Sequence, residues 1–276
     1  MYLEHFGLRE FPFNLTADPS FLYLSKRHQA AFAHLLYGIQ ERKGFIEITG
    51  DVGTGKTTLC RALLRSLNQD VTKTALILNS KMSTLELLQA IIADLGVQVP
   101  TKSRLAIINR LNEFLLEEFA RGHNTIVIID EAQNLSAGQL EQIRLLSNLE
   151  TEKAKLLQLI LVGQPQLREK LQREELSQLR QRIAVRYHML PLEREELPPY
   201  IEHRLRVAGY AGESLFSDEA FDALYRYTQG VPRVINVLCD KVFLACFAYQ
   251  TRRVEPPLVE RGIEELEGKF EEVLTP

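Results

Sequence analysis

The stretch Ile48-Thr49-Gly50-Asp51-Val52-Gly53-Thr54-Gly55-Lys56-Thr57-Thr58-Leu59-Cys60 constrains this chain more than any other. It follows the apolar run FIEIT (45–49) and leads into a helix-like segment. Glycine adopts positive φ at little cost, so a glycine-rich turn can curl until successive N–H groups point inward. Such a curl is a concave nest for an anion. A helix starting near Lys56 adds the positive end of its dipole. Residues 50–57 read G-x-x-x-x-G-K-[ST], the phosphate-binding loop, and a strand before with a helix after is the context that this pattern requires. The expected phosphate ligands are Gly50, Asp51, Val52, Gly53, Thr54, Gly55, Lys56, Thr57 and Thr58. Lys56 can reach the β- and γ-phosphates, and the Thr57 hydroxyl can ligate Mg²⁺.

A strand–loop–helix unit of this kind implies a parallel sheet with crossover helices, and the remaining apolar runs supply its strands. After FIEIT come ALILN (75–79), TIVIID (125–130), LQLILVG (157–163) and AVRYHML (184–190). Each is apolar enough to be buried on both faces. Ser83 with Glu86, and Ser136 with Gln139, are capping boxes that start helices. Gly96 stops the first of these. Beyond residue 190 the pattern becomes helical throughout, with Ser217 as a cap and Pro232 in a first turn. The spacing therefore predicts an α/β domain over 1–191 and an all-helical one over 192–276. The first 40 residues are expected to pack against the α/β part, with LSKRHQAAFAHLLYGI as a helix.

Composition narrows the function classes. A formal net charge of −3 argues against a protein dominated by nucleic-acid binding. Three scattered cysteines, Cys60, Cys239 and Cys246, suit a reducing compartment and no disulfide framework. No apolar run reaches the ~18 residues of a membrane span, and the acidic N-terminus is unlike a signal peptide. The expected location is cytoplasmic, including the cytoplasmic part of an inner-membrane protein.

A bound triphosphate needs a metal anchor and a group that activates water. TIVIIDEAQNL offers both. Asp130 ends a buried strand and can hold Mg²⁺ through its water shell. Glu131 follows at once and can orient or deprotonate the attacking water. A glutamate directly after the aspartate favours hydrolysis over transfer to a small molecule.

These motifs together resemble the AAA+ ATPases: a P-loop NTPase with a five-stranded parallel sheet flanked by helices and a C-terminal all-helical lid. FGLREFPFNLTADPSFLYLSKRHQAAFAHL, GDVGTGKTTLCRALL, DEAQNLS, LILVGQPQL and GVPRVINVLCD are similar to the ExeA-type branch, the ATPase domain of the general secretion pathway protein A family. The resemblance implies ATP and Mg²⁺ as cofactors and Gln164 as the polar sensor at the end of the fourth strand. It also implies an arginine finger among Arg180, Arg182 and Arg186, with Arg182 preferred, and Arg233 as the sensor arginine of the lid. It further implies an ATP-dependent homo-oligomer and a membrane-protein partner in a type II secretion apparatus, where the family helps to place the secretin. The competing expectation is a DNA-acting ATPase of the transposition-regulator type. Its best basic stretches, 168–182 and 251–255, alternate with glutamates as a solvated helix face does. The sequence does not fix which residues enclose the adenine; the resemblance makes Phe13, Asn14 and the lid near Ile201 the candidates.

Overall fold

The five apolar runs become the five strands of one parallel sheet in the computed structural model, which describes residues 2–78, 80–99, 103–152 and 154–269. The strands are β1 (Phe45–Gly50), β2 (Thr72–Ile77), β3 (Asn124–Ile129), β4 (Gln158–Gly163) and β5 (Ile183–Met189), and their spatial order is β2-β3-β4-β1-β5. The helices are α1 (Tyr2–Phe6), α2 (Lys26–Gln40), α3 (Lys56–Ser66), α4 (Thr84–Asp94), α5 (Arg104–Ala120), α6 (Ala137–Leu146), α7 (Pro165–Leu171), α8 (Ser177–Arg182), α9 (Leu197–Val207), α10 (Asp218–Thr228), α11 (Pro232–Ala248) and α12 (Pro256–Leu266). Two compact units result: Gln29–Asp51 with Leu59–Met189, and Met1–His28 with Val52–Thr58 and Leu190–Pro276.

The first unit holds the sheet. All six residues of β1 and of β4 are buried, as strands covered on both faces must be. Val127, Ile129, Leu159 and Leu161 share a core with Leu88 and Ile91 of α4, Leu111 and Leu115 of α5 and Ile143 of α6. Truncating such a side chain to alanine typically costs roughly 2–5 kcal/mol. The Ser83 and Ser136 capping boxes both form. Gly96 has φ +78°, and the N–H groups of Gly96 and Val97 bond to the carbonyls of Ala93 and Ile92, which closes α4. The ALILN strand begins earlier than expected, at Thr72, and its expected last residue, Asn79, lies outside the described residues. The 17-residue α5, capped by Ser103, carries no element in the sequence reading.

The edge strand β5 shows the alternation of a half-covered strand: Ile183, Val185 and Met189 are buried, Ala184 and Arg186 exposed. Beside it, Glu47 sits in the middle of β1 and pairs with Arg186, its register partner, at 3.3 Å. Burial pushes the Glu47 carboxyl above the usual range, while Arg186 and Arg168 pull it down.

The second unit holds the other core, and here the structure corrects the expected division. Tyr2, Phe6, Leu8, Phe13 and Phe21 share a core with Leu205, Phe221, Leu224 and Phe243. Phe6 stacks on Phe243 at 4.4 Å, and Tyr2 and Phe13 meet the same ring edge-on. Hydrogen bonds add to this docking: the Arg9 N–H donates to the Ala208 carbonyl, and the Arg204 guanidinium donates to the carbonyls of Pro12 and Asn14. Residues 1–28 therefore belong with the C-terminal helices, not with the α/β part. The physical reason is that their aromatic side chains find a matching apolar surface on α11. Periodicity within the lead-in carries no information about which distant surface covers it. Among the described residues no helix is long and apolar enough to cross a membrane, and the three cysteines are free and buried.

Candidate functional site

The phosphate loop leaves the carboxyl end of β1 at Gly50 and enters α3 at Lys56. Gly53 and Gly55 have φ of +84° and +93°, conformations that L-residues rarely take. With Thr54 between them, fully buried, they form the curl that turns amides inward. This geometry fits a polyphosphate, and Lys56, only 7% exposed, stands at the helix start where a cation and N–H donors are both wanted. A Cβ on Gly53 would lie 2.6 Å from the Cβ of Arg233. The Arg233 N–H donates to the Gly53 carbonyl at 3.2 Å. Arg233 follows Pro232, the first residue of α11, so a helix start abuts the loop.

His28 also holds the loop. Its Nε2 lies 3.1 Å from the Thr54 carbonyl and its Nδ1 2.8 Å from the Ser25 hydroxyl. A carbonyl only accepts, so Nε2 carries the proton and Nδ1 accepts from Ser25. Burial lowers the His28 pKa, with the Thr54 bond and Glu196 acting against it, so the ring is held neutral. Neither Ser25 nor His28 features in the sequence reading. The usable signal is a serine three residues ahead of a histidine at a helix start.

The second group of residues sits at the carboxyl ends of adjacent strands. Asp130 follows β3, is 3% exposed, and donates its N–H to the Ile77 carbonyl, continuing the ladder to β2. Its Oδ1 accepts the Glu131 N–H at 2.8 Å. Glu131 adopts the left-handed region at φ +52°, a strained choice for a residue with a side chain. Three bonds hold it there: that N–H, and its carbonyl accepting from the Ser80 hydroxyl at 2.7 Å and the Asn134 N–H at 2.9 Å. Gln164 follows β4, and its Nε2 donates to Glu131 Oε2 at 3.2 Å. The structure thus brings Glu131 and Gln164 together. It also adds Gln133, absent from the sequence reading, whose Nε2 donates to the same Oε2. Among the described residues no group of three or more His, Cys, Asp or Glu could hold a metal ion by itself.

The three arginines near β5 all have partners within the chain. Arg182 Nη1 donates to the Ser147 hydroxyl at 2.6 Å, to Asn148 Oδ1 at 2.5 Å and to the Arg144 carbonyl at 3.4 Å. It places a cation at the carboxyl end of α6, where the dipole favours one. Arg180 donates to the Gln172 carbonyl, and Arg186 to Glu47 and the Arg180 carbonyl. Phe13 and Ile201 are both buried, and the Asn14 carbonyl is taken by Arg204.

Residues 39–171 match the family model of an AAA domain. Over 255 residues the chain is 43% identical to General secretion pathway protein A of Aeromonas hydrophila, an alignment covering 92% of this chain and 46% of that protein. The chain thus spans about half the length of this relative. The fold is similar to the Aeropyrum pernix ORC2 protein in its ADPNP–ADP complexes, with a TM-score of 0.68 at 17% identity over 92% of this chain and 71% of that one. Drosophila ORC bound to DNA gives 0.70 at 19% identity, over 93% and 64% of the two chains. The RuvB Holliday junction branch migration motor of Thermotoga maritima gives 0.57 at 15%, over 88% and 69%. At such identities the likeness carries the architecture, a P-loop sheet with a helical C-terminal part, and no more.

Proposed function

We propose that the chain, an AAA ATPase similar over 92% of its length to General secretion pathway protein A, is a magnesium-dependent ATP hydrolase whose cycle drives assembly of a type II secretion apparatus. The observation that carries the hydrolytic reading is the Glu131–Gln164 pair. Two polar side chains from neighbouring strand ends are bonded to each other beside the strand that ends in the phosphate loop. A carboxylate so held can take a proton from water, while the amide can sense what sits next to it.

In this reading the loop amides and Lys56 bind the outer phosphates, and Arg233 answers to the γ-phosphate from the lid. Thr57 and Asp130 would hold the magnesium ion, which neutralises phosphate charge when bound. Glu131 aligns and deprotonates the water. Arg182 is the proposed finger toward a neighbouring subunit, and reaching one requires it to exchange its bonds to Ser147 and Asn148 for phosphate oxygens. The assembled state is then ATP-dependent. The partner in secretin placement is a membrane protein of the apparatus, a role that the similarity to General secretion pathway protein A supports.

Lys56→Ala is expected to abolish binding of a fluorescent ATP analogue, and Glu131→Gln to bind it normally while hydrolysing ATP roughly 10²–10⁴-fold more slowly. Unchanged affinity in the first, or unchanged turnover in the second, refutes the site. Sedimentation with and without a non-hydrolysable analogue tests the oligomer, and a soluble fragment of the membrane partner tests the coupling.

A further inference from the structure

We propose that Gln133 is a positioning residue for hydrolysis, fixing the Glu131 carboxylate against the sensor end of β4. The inference rests on the ATPase reading above and names a residue that this reading does not require. Both ends of the Gln133 amide are used. Nε2 donates to Glu131 Oε2, and Oε1 accepts the backbone N–H of Gln164 at 3.0 Å. Only one orientation of the amide satisfies both partners, because the flipped group would set its oxygen against a carboxylate and its NH₂ against an N–H. Gln164 Nε2 closes the ring on Glu131 Oε2 at 3.2 Å. Three side chains from two strand ends therefore form one closed network.

The surroundings are shaped for it. A Cβ on Gly163 would lie 2.7 Å from Gln133 Oε1, so the residue before Gln164 has to be glycine for the amide to sit there. Lys170 of α7 clamps the same turn, donating from Nζ to the carbonyls of Gln133 and Leu135 at 2.5 and 2.6 Å. The turn after β3 and the elbow after β4 are thus tied together twice. Both donors converge on the same carboxylate oxygen, Oε2 of Glu131. Charge-assisted bonds of this kind fix direction as well as energy. A carboxylate without them, on a left-handed residue, samples positions that do not meet the nucleophile, and small misplacement is costly in rate.

The test uses the full chain and two independent perturbations. Gln133→Met keeps the bulk and removes both bonds. Gly163→Ala keeps the Gln133 side chain but crowds its oxygen, and also meets Leu167 Cδ2 at 3.0 Å and Cβ at 3.2 Å. Each is expected to lower kcat for ATP roughly 10- to 100-fold, the usual effect of removing a group that orients a reacting one. KM and the affinity for a fluorescent ATP analogue should stay within about twofold, since the side-chain bonds of Gln133 run to Glu131 and Gln164. Gln133→Glu, which sets like charges together, should be slower still. Gln133→Met combined with Gln164→Ala should lose less than the sum of the two changes, as members of one network do. Wild-type kcat in Gln133→Met, a raised kcat, or a parallel loss of affinity overturns the proposal. If Gly163→Ala does not fold, Gln133→Met decides alone. Turnover that survives Lys56→Ala sinks the ATPase reading and this role with it. Turnover that depends on Lys56 but ignores Gln133 sinks this role only.

Discussion

Gly53→Ala is the sharpest probe of the phosphate loop. Two costs are legible in the structure. At φ +84° an alanine carries the left-handed penalty, roughly 1–2 kcal/mol. Its Cβ would also meet the Arg233 Cβ at 2.6 Å and the Val231 Cγ1 at 3.2 Å. The first of these atoms is fixed to the backbone of α11, so relief requires moving the loop off the helix start and losing the Arg233–Gly53 backbone bond. Overpacking of this kind typically costs a further 1–3 kcal/mol or so. Gly55→Ala is the natural comparison. It carries the same conformational penalty at φ +93°, but its nearest neighbour is His28 Nε2 at 3.3 Å. Gly138→Ala, in α6 with nothing within 4 Å, should stabilise by roughly 0.5–1 kcal/mol. The expected ranking in thermal unfolding is therefore Gly138→Ala above wild type, then Gly55→Ala, then Gly53→Ala. Binding of a fluorescent ATP analogue should fall tenfold or more in Gly53→Ala, since each ~1.4 kcal/mol is a factor of ten. A Gly53→Ala protein that melts and binds like Gly55→Ala would refute the contact with α11.

Phe243→Ala should cost about 3–5 kcal/mol and release the lead-in, because Tyr2, Phe6 and Phe13 all touch that ring. Limited proteolysis should then cut before residue 28 sooner than in wild type, and unchanged protection there contradicts the docking. His28 is held neutral by burial, so its folded pKa lies below the ordinary value of 6.5. The stability this provides is complete above that pH and is lost as pH falls through the folded pKa. A His28→Gln melt series should therefore be flatter than wild type on the acid side, and parallel curves would count against it. Glu47 has the opposite sign for a carboxyl, since burial raises its pKa and stability declines as pH rises from about 4.5. Relative to wild type, Glu47→Gln should gain as pH rises from about 4 to 8, and a gap that shrinks over that range would refute the assignment.

Much of the fold was legible because its signals are local. A buried parallel strand is a continuous apolar run, and five such runs appear within a few residues of β1 to β5. Ser83, Ser136 and Ser217 announce helix starts through bonds that reach only three residues. The phosphate loop and the Asp130–Glu131 pair are legible for the same reason, since each is one uninterrupted segment at a strand end. Other features were not visible in this way. The 17-residue α5 carries a weaker pattern, with charged residues spaced among its apolar ones.

The chain's own order of residues determined that there would be a strand, a glycine curl and a helix at 45–66, and acids at the end of β3. Only the tertiary structure decided what surrounds them. That residues 1–28 lie on α11, that Arg233 meets Gly53, that His28 reaches Thr54 and that Gln133 bridges Glu131 to Gln164 are pairings between segments up to more than two hundred residues apart. Local sequence specifies φ, ψ and periodicity through neighbours a few bonds away. A side-chain hydrogen bond across the fold depends instead on which surfaces end up buried together, and that is settled by packing the whole chain at once.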